Sequence, residues 1–249
     1  MIGIAIRLFG PMQAWGGPVV GDDRPTNLFP TRSGVLGLVS ACMGISRWDM
    51  RGLLTMANAR VHIRVDSPGI MFIDDQIIQG HPMASTIRQT IQSKRGYLAD
   101  ASFVAVVVPN SVEVGTIAAI KEALQYPVFT PCLGRAACPP SEPLLIGEVE
   151  ADDPLDLFAN IPRGPDALMA RLEKSGPLAP YDFYLDVERH PQGMRRMRLR
   201  NALCGPLPRQ FREYTVVEVR GDLATADDEP EADESEPDTT DGWLTDELC

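Results

Sequence analysis

Histidine and lysine are scarce in this 249-residue chain, with three of each. Catalysis by side chains needs a nucleophile with its base, a carboxylate pair or a metal cluster. His62 falls in an alternating strand pattern, His81 beside Pro82 and His190 in the turn sequence ERHPQG, and none has such a motif around it. Cysteine is sparse too. Cys42, Cys132, Cys138, Cys204 and Cys249 form no CxxC pair, which supports neither a disulfide framework nor a zinc site. No metal and no cofactor are expected. The longest apolar run, Val35 to Ile45, is broken by Ser40 and glycines and falls far short of the roughly 20 residues of a membrane span. No charged leader precedes an early apolar stretch, so a cytoplasmic protein with no membrane contact is expected. There is no Walker motif, and the glycines at 34, 37 and 44 lack phosphate-loop spacing. The pairs Asp22-Asp23, Asp74-Asp75 and Asp152-Asp153 are read as solvated loop and turn carboxylates.

Charge is plentiful and unevenly placed. The formal net charge is −11, yet residues 222–249 hold twelve of the 34 acidic side chains and no lysine or arginine. The remainder sets 22 acidic against 23 basic residues, a core near +1. Twenty of those basic residues are arginine, the side chain suited to planar, bidentate phosphate contacts, although a GC-rich genome also favours it. The tail, rich in Asp, Glu, Pro, Ser and Thr, is disordered by composition, with GWLTDEL near its end as a candidate docking segment.

Alternation in IGIAIRLFG predicts a first strand whose Ile2, Ile4, Ile6 and Leu8 face a core while the other face is small and charged. Residues 10–34 are too rich in glycine and proline for regular structure and form a candidate binding loop. Ser33 to Ile45 predicts a buried helix, followed by a second helical run through Ala57. ARVHIRVD predicts a strand that pairs with GIMFIDD across Ser67-Pro68-Gly69. Residues 76–98 are polar and weakly patterned, with a turn expected at Lys94-Arg95-Gly96. ASFVAVVVP predicts a central strand and SVEVGTIAAIKEALQYP an amphipathic helix stopped by Pro127. PLLIGEVE, YDFYLDVE, RMRLRNAL and YTVVEVRG add strands, with a helical insertion near PDALMARLEKSG. The fold class is therefore α+β, close to the βαββαβ plan of ferredoxin-like and RNA-recognition folds. The expected organisation is a palm over 1–131, a β-rich C-terminal part over 132–221 with an insertion at about 155–176, and the tail 222–249.

Several arginines stand beside turn-forming residues: Arg24 before Pro25, Arg32 before Ser33-Gly34, Arg95 before Gly96, Arg135 after Gly134, and Arg209 in LPRQF. Amides freed by such turns, or by the first turn of a helix, seat phosphates, and a nearby guanidinium adds charge. At Ser33 the competing reading is helix N-capping. Arg196, Arg198 and Arg200 share one strand face by their spacing of two, where like charges repel unless an anion sits between them.

GPMQAWGGP, RPTNLFPTRSGVLGLVSACMGI, YLADASF, YPVFTPCLGRAACP and LPRQF follow an order that resembles the Cas-five-type (CasD) subunits of Cascade, the type I-E CRISPR surveillance complex, over about residues 4–220. The resemblance implies a ferredoxin-like or RNA-recognition-type palm with a protruding thumb at about 76–100. It implies a noncatalytic subunit for antiviral defence that binds the 5′ handle of the CRISPR RNA, caps the filament of backbone subunits, contacts the large subunit, and meets target DNA through the complex. Carried over by position, Gln13, Ala14, Trp15, Gly16, Arg24, Thr31, Arg32, Ser33 and Gly34 line the handle site, with Arg95 on the thumb. Arg135, Arg209, Gln210 and Phe211 belong to family motifs as further RNA-binding candidates. Trp15 is either a base-stacking ring or a loop anchor, and Arg32 is the leading RNA contact. Some relatives cleave repeat RNA as metal-independent endoribonucleases with tyrosine, lysine and histidine. Here the stretch from Pro82 to Asp100 offers Lys94, Arg95 and Tyr97 without histidine, so no catalysis is expected. The remaining alternative is an assembly cap that touches no RNA. The tail's charge suggests a shield over the basic surface, or a simple solubiliser.

Overall fold

The computed structural model describes residues 1–17, 19, 21–79, 90–110, 114–174, 180–186, 195–203 and 210–221. His81, His190, Arg209, the tail 222–249 and the side chains of Arg196, Arg198, Arg200, Gln210 and Phe211 lie outside the described residues.

In chain order the elements are β1 (Ile2–Phe9), β2 (Met12–Gln13), β3 (Trp15–Gly16), β4 (Thr26–Asn27), α1 (Arg32–Cys42), α2 (Met50–Ala57), β5 (Arg60–Ser67), β6 (Ile70–Gln79), β7 (Thr90–Ala99), β8 (Ser102–Val108), α3 (Val114–Gln125), β9 (Leu145–Glu150), a single 3-10 turn (Asp156–Phe158), α4 (Asp166–Glu173), β10 (Tyr181–Asp186), β11 (Arg195–Leu203) and β12 (Gln210–Gly221). Seven strands form one antiparallel sheet in the order β11-β12-β10-β5-β8-β1-β9. The C-terminal strands thus extend the sheet begun by β1, β5 and β8. The expectation of mixed helices and strands holds. Among the described residues no helix is long and apolar enough to cross a membrane.

Strand alternation sends Ile4, Ile6 and Leu8 of β1 to one face, where they meet Val61, Ile63, Phe103, Ala105 and Val107. Val35, Leu38, Val39 and Cys42 of α1 and Ile117, Ile120 and Leu124 of α3 close this layer. Their spacing of three and four residues explains why each segment coils into a helix with one apolar side. Full burial of each large side chain contributes about 1.5–3 kcal/mol.

The expectation for the other face of β1 is corrected, because that face is buried as well. Ala5, Val104, Val106, Val108, Phe183 and Leu185 lie beneath Leu157, Phe158 and Ile161. Leu157, Phe158 and Ile161, within the expected insertion, therefore roof the sheet. Arg7, only 8% exposed, is taken up by this roof: its Nη1 donates to Asp66 Oδ2 at 3.3 Å and its Nη2 to the Pro162 carbonyl at 3.1 Å. Arg64 joins through Nε to Asp66 Oδ1 at 2.7 Å and through its Nη atoms to the carbonyls of Phe158, Ile161 and Pro162. The Gly164 amide donates to Asp66 Oδ2 at 2.7 Å. Buried charges are tolerable only when paired and hydrogen-bonded in this way.

The pairing of the ARVHIRVD and GIMFIDD segments is also corrected. β5 is flanked by β8 and β10, while β6 pairs with β7 from Ile70↔Ala99 to Gln79↔Thr90. With β2 these two strands make a separate sheet in the order β2-β7-β6. Lys94, Arg95 and Gly96 consequently sit within a strand and not at a turn, and Asp74 and Asp75 face Arg95 and Lys94 across the hairpin.

Candidate nucleic-acid interface

The loop after β1 folds around its tryptophan. Gln13, fully buried, donates from Nε2 to the carbonyls of Leu8 at 3.1 Å and Ala101 at 2.7 Å, and its Oε1 accepts from Trp15 Nε1 at 2.9 Å. Trp15 is 1% exposed, so it anchors the loop and offers no open ring face to a base. A Cβ on Gly34 would stand 2.9 Å from Trp15 Cε3, which is why a glycine occupies the first turn of α1. Trp15 N–H donates to Thr26 Oγ1 at 2.8 Å, and Asn27 Nδ2 donates to the carbonyls of Trp15, at 2.9 Å, and Gly16. Thr26 and Asn27 fall within the RPTNLFPTRSG motif, and the short β3–β4 pairing reveals their part.

Thr31, not Ser33, caps α1: its Oγ1 accepts from the Gly34 amide at 3.3 Å, and Ser33 lies inside the helix. Arg32 is the first helical residue, and its side chain is committed inward. Nε donates to the Ala59 carbonyl at 3.0 Å and Nη2 to those of Ala57, at 3.0 Å, and Ala59, at 2.6 Å. It also pairs with Asp186 Oδ2 at 3.3 Å and stands over the Tyr214 ring with a side chain 12% exposed. A guanidinium on the last carbonyls of α2 complements that helix end. The Arg32 amide reaches the Tyr214 hydroxyl at 3.2 Å, and burial pushes the Tyr214 phenol up, so that hydroxyl stays neutral. Alternation in YDFYLDVE, which turns Phe183 and Leu185 to one face and Asp186 to the other, is the sequence signal for Asp186.

The other predicted arginines meet elsewhere. The Arg24 amide donates to the Lys94 carbonyl at 2.8 Å, and its own carbonyl accepts from the Gly96 amide at 3.0 Å. Arg135 ties this seam from outside: Nη1 donates to the Gly96 carbonyl at 3.2 Å and Nη2 to the Arg24 carbonyl at 2.6 Å. Its guanidinium lies 4.7 Å from the Tyr97 ring centre, and Phe72 stacks on that ring at 5.5 Å. Gly134 holds a φ of +89°, and a side chain there would overlap the Ala14 carbonyl oxygen, while the Ala14 amide donates to the Leu133 carbonyl at 3.0 Å. The 132–138 loop is thereby pressed against the Gln13–Gly16 loop. Ser93 Oγ donates to the Asp22 carbonyl at 2.6 Å, and Asp23 Oδ1 accepts from the Lys94 amide at 3.0 Å.

Gln13, Ala14, Trp15, Gly16, Arg24, Arg95 and Arg135 thus belong to one assembly of loop, hairpin and 132–138 turn, while Arg32 serves the helix junction. Arg95 is half-buried, and its Nε has no partner among the described residues. Lys94 is exposed at the same place. His62 is fully buried with neither ring nitrogen partnered among the described residues, and burial, helped by Arg60, lowers its pKa to about 4. It stays neutral.

A family model described as "CRISPR-associated protein (Cas_Cas5)" matches residues 3–220. The CRISPR system Cascade subunit CasD of Escherichia coli (strain K12) is 36% identical over 172 residues, 63% of this chain and 75% of that protein. Among solved structures, a chain of a CRISPR RNA-guided surveillance complex aligns over 89% of this chain and 90% of its own, with a TM-score of 0.69 and 27% identity. A solved Cas protein at 24% identity aligns over 89% of this chain and 95% of its own with a TM-score of 0.58, which shows a shared fold. With the match running from β1 to β12, the chain belongs to the Cas5 family of CRISPR-associated proteins.

Proposed function

We propose that the chain is a noncatalytic, cytoplasmic subunit of a Cascade-type, type I-E RNA-guided surveillance complex that grips the 5′ handle of the CRISPR RNA and caps the filament of backbone subunits. The large subunit and, through the complex, target DNA are its other partners. Sequence recognition is left to guide pairing, so such a subunit needs to hold one constant RNA segment and its backbone. The strand order β5-β8-β1-β9, with α1 and α3 on one face, supports a ferredoxin-like palm, and the separate β6–β7 hairpin supports the reading of a thumb.

The observation that carries this reading is the convergence of Arg24, Arg95 and Arg135 on one seam, although Arg24 and Arg135 are 111 residues apart in sequence. A donor held out of water without a partner, as at Arg95 Nε, costs free energy that an external acceptor restores. Arg209, Gln210 and Phe211 remain contacts proposed from the family motif. Arg32, Thr31, Ser33 and Gly34 contribute by fixing the loop beside the seam. Tyr97, 5% exposed between Arg135 and Phe72, is engaged in packing, which supports a role without RNA cleavage.

The test is binding of a handle-sequence RNA across a salt series by the intact chain and by Arg95→Ala and Arg135→Ala. Loss of affinity with a shallower salt dependence supports phosphate contact at the seam. Unchanged binding with impaired assembly supports the structural cap, and cleavage of repeat RNA by the purified chain supports the endoribonuclease.

A further inference from the structure

A second surface, independent of the RNA reading, lies on α2 at the far side of the helical layer. Leu53 and Met56 turn inward, while Arg51, Leu54 and Thr55 are exposed, at the three- and four-residue spacing of one helix face. Trp48, three residues before Arg51, is 75% exposed, and Leu54 is 51% exposed. Exposed Arg47 adds a second cation, and neither Arg47 nor Arg51 has an ion pair among the described residues. The nearby carboxylate, Asp49, is occupied by the Gly52 amide at 3.1 Å. The patch continues beyond α2, because Val128 packs on Gly44 and Val128 and Phe129 are both exposed. An exposed tryptophan with flanking leucine, valine and phenylalanine marks an interaction surface.

We propose that this face docks the chain's own acidic terminus, the segment Asp241 to Leu248. Trp243, Leu244 and Leu248 supply apolar anchors, while Asp241, Asp246 and Glu247 are opposite in charge to Arg47 and Arg51. A nucleic-acid strand would satisfy the arginines yet leave Leu54, Val128 and Phe129 uncovered, so the amphipathic acidic segment fits better. Reach is ample. Gly221 pairs with Tyr181, and Asp182 with Val65, so the path back along β5 and α2 is about 30 Å. The 22 residues from Gly221 to Trp243 extend to about 70 Å. A tether of this kind holds the segment at an effective concentration near 1 mM, so an intrinsic Kd of about 0.1 mM suffices for roughly 90% occupancy.

The test uses the full chain carrying Trp243→Phe, which leaves Trp48 as the exposed tryptophan and buried Trp15 as a fold control. Quenching of Trp48 by acrylamide is expected to be several-fold weaker than in the same chain with Leu244→Asp and Leu248→Asp added. Arg47→Glu with Arg51→Glu, or Leu54→Asp, restores the quenching in the same way, with the Trp15 emission unchanged. Equal quenching with and without the leucine substitutions overturns the proposal. So does shielding that grows with protein concentration, which assigns the face to a second copy. Shielding that appears only on adding single-stranded RNA overturns it too and assigns the face to nucleic acid.

Discussion

Arg32 and Arg95 look alike in sequence, each preceding a glycine-bearing turn signal, and the fold uses them in opposite ways. Arg32 spends its guanidinium on the carbonyls of Ala57 and Ala59 and on Asp186, joining the start of α1 to the end of α2 and to β10. Arg95 lies mid-strand in the hairpin, half-buried, with its Nε unpartnered among the described residues. An arginine whose hydrogen bonds are filled by its own chain is a structural tie. One that keeps a buried donor its own chain does not fill, as Arg95 keeps Nε among the described residues, is suited to bring in an outside anion.

Loss of a partner costs most where charge is most deeply buried. Asp66→Ala leaves Arg7 and Arg64 in the roof without their shared carboxylate, and removing one partner of such a network costs about 3–5 kcal/mol. The denaturant midpoint of the variant reads this directly, and a loss below about 1 kcal/mol contradicts the tie. His62 gives the next effect. Its folded pKa of about 4 lies below the ordinary 6.5, so the unfolded chain binds the extra proton between those values and stability falls as pH drops through that window. The full loss approaches about 3 kcal/mol. Unfolding midpoints at pH 7 and pH 4.5 measure it, and a neutral His62→Leu flattens this part of the dependence.

Arg32→Ala ranks below these, at about 2 kcal/mol, from the Ala57 and Ala59 carbonyls left without this donor and from Asp186 losing one of its partners. In the variant that remains folded, the salt dependence of RNA binding is expected to match that of the intact chain. A shallower dependence would place Arg32 with Arg95 and erase the distinction. The sequence showed Arg32 at a helix start; it did not show that the acceptors would arrive from Ala57, Ala59 and Asp186, because those contacts are long-range. β1, α1, β8 and α3 were legible because each carries a full run of apolar periodicity. The hairpin was not, since β7 pairs along its length but packs closely over only part of it, leaving polar Gln92 and Lys94 without a period to read. The second buried face of β1 was hidden by Gly3 and Ala5, small because Val106 and the roof come close. Trp15 was recognisable as a key residue, yet only the Gln13 and Gly34 contacts separate an anchor from a stacking platform.

Arg95 carries the smallest free-energy change of these arginines. Arg95 is half-buried without an ion-pair partner among the described residues, so Arg95→Ala is expected to shift stability by less than about 1 kcal/mol. Arg135→Ala removes bonds to the Gly96 and Arg24 carbonyls and the stack on Tyr97, and about 1–2 kcal/mol follows from those losses. For a single-stranded ligand, each lost phosphate contact lowers the slope of log affinity against log salt by about 0.7. Arg95→Ala therefore changes the slope more than the stability, and Arg32→Ala the reverse. Arg95→Lys separates charge from geometry: it keeps the slope, because the charge remains, and loses part of the affinity, because a lysine lacks the planar fork. Equal slopes for Arg95→Ala and the intact chain would remove the seam from RNA contact and leave the hairpin as an assembly element.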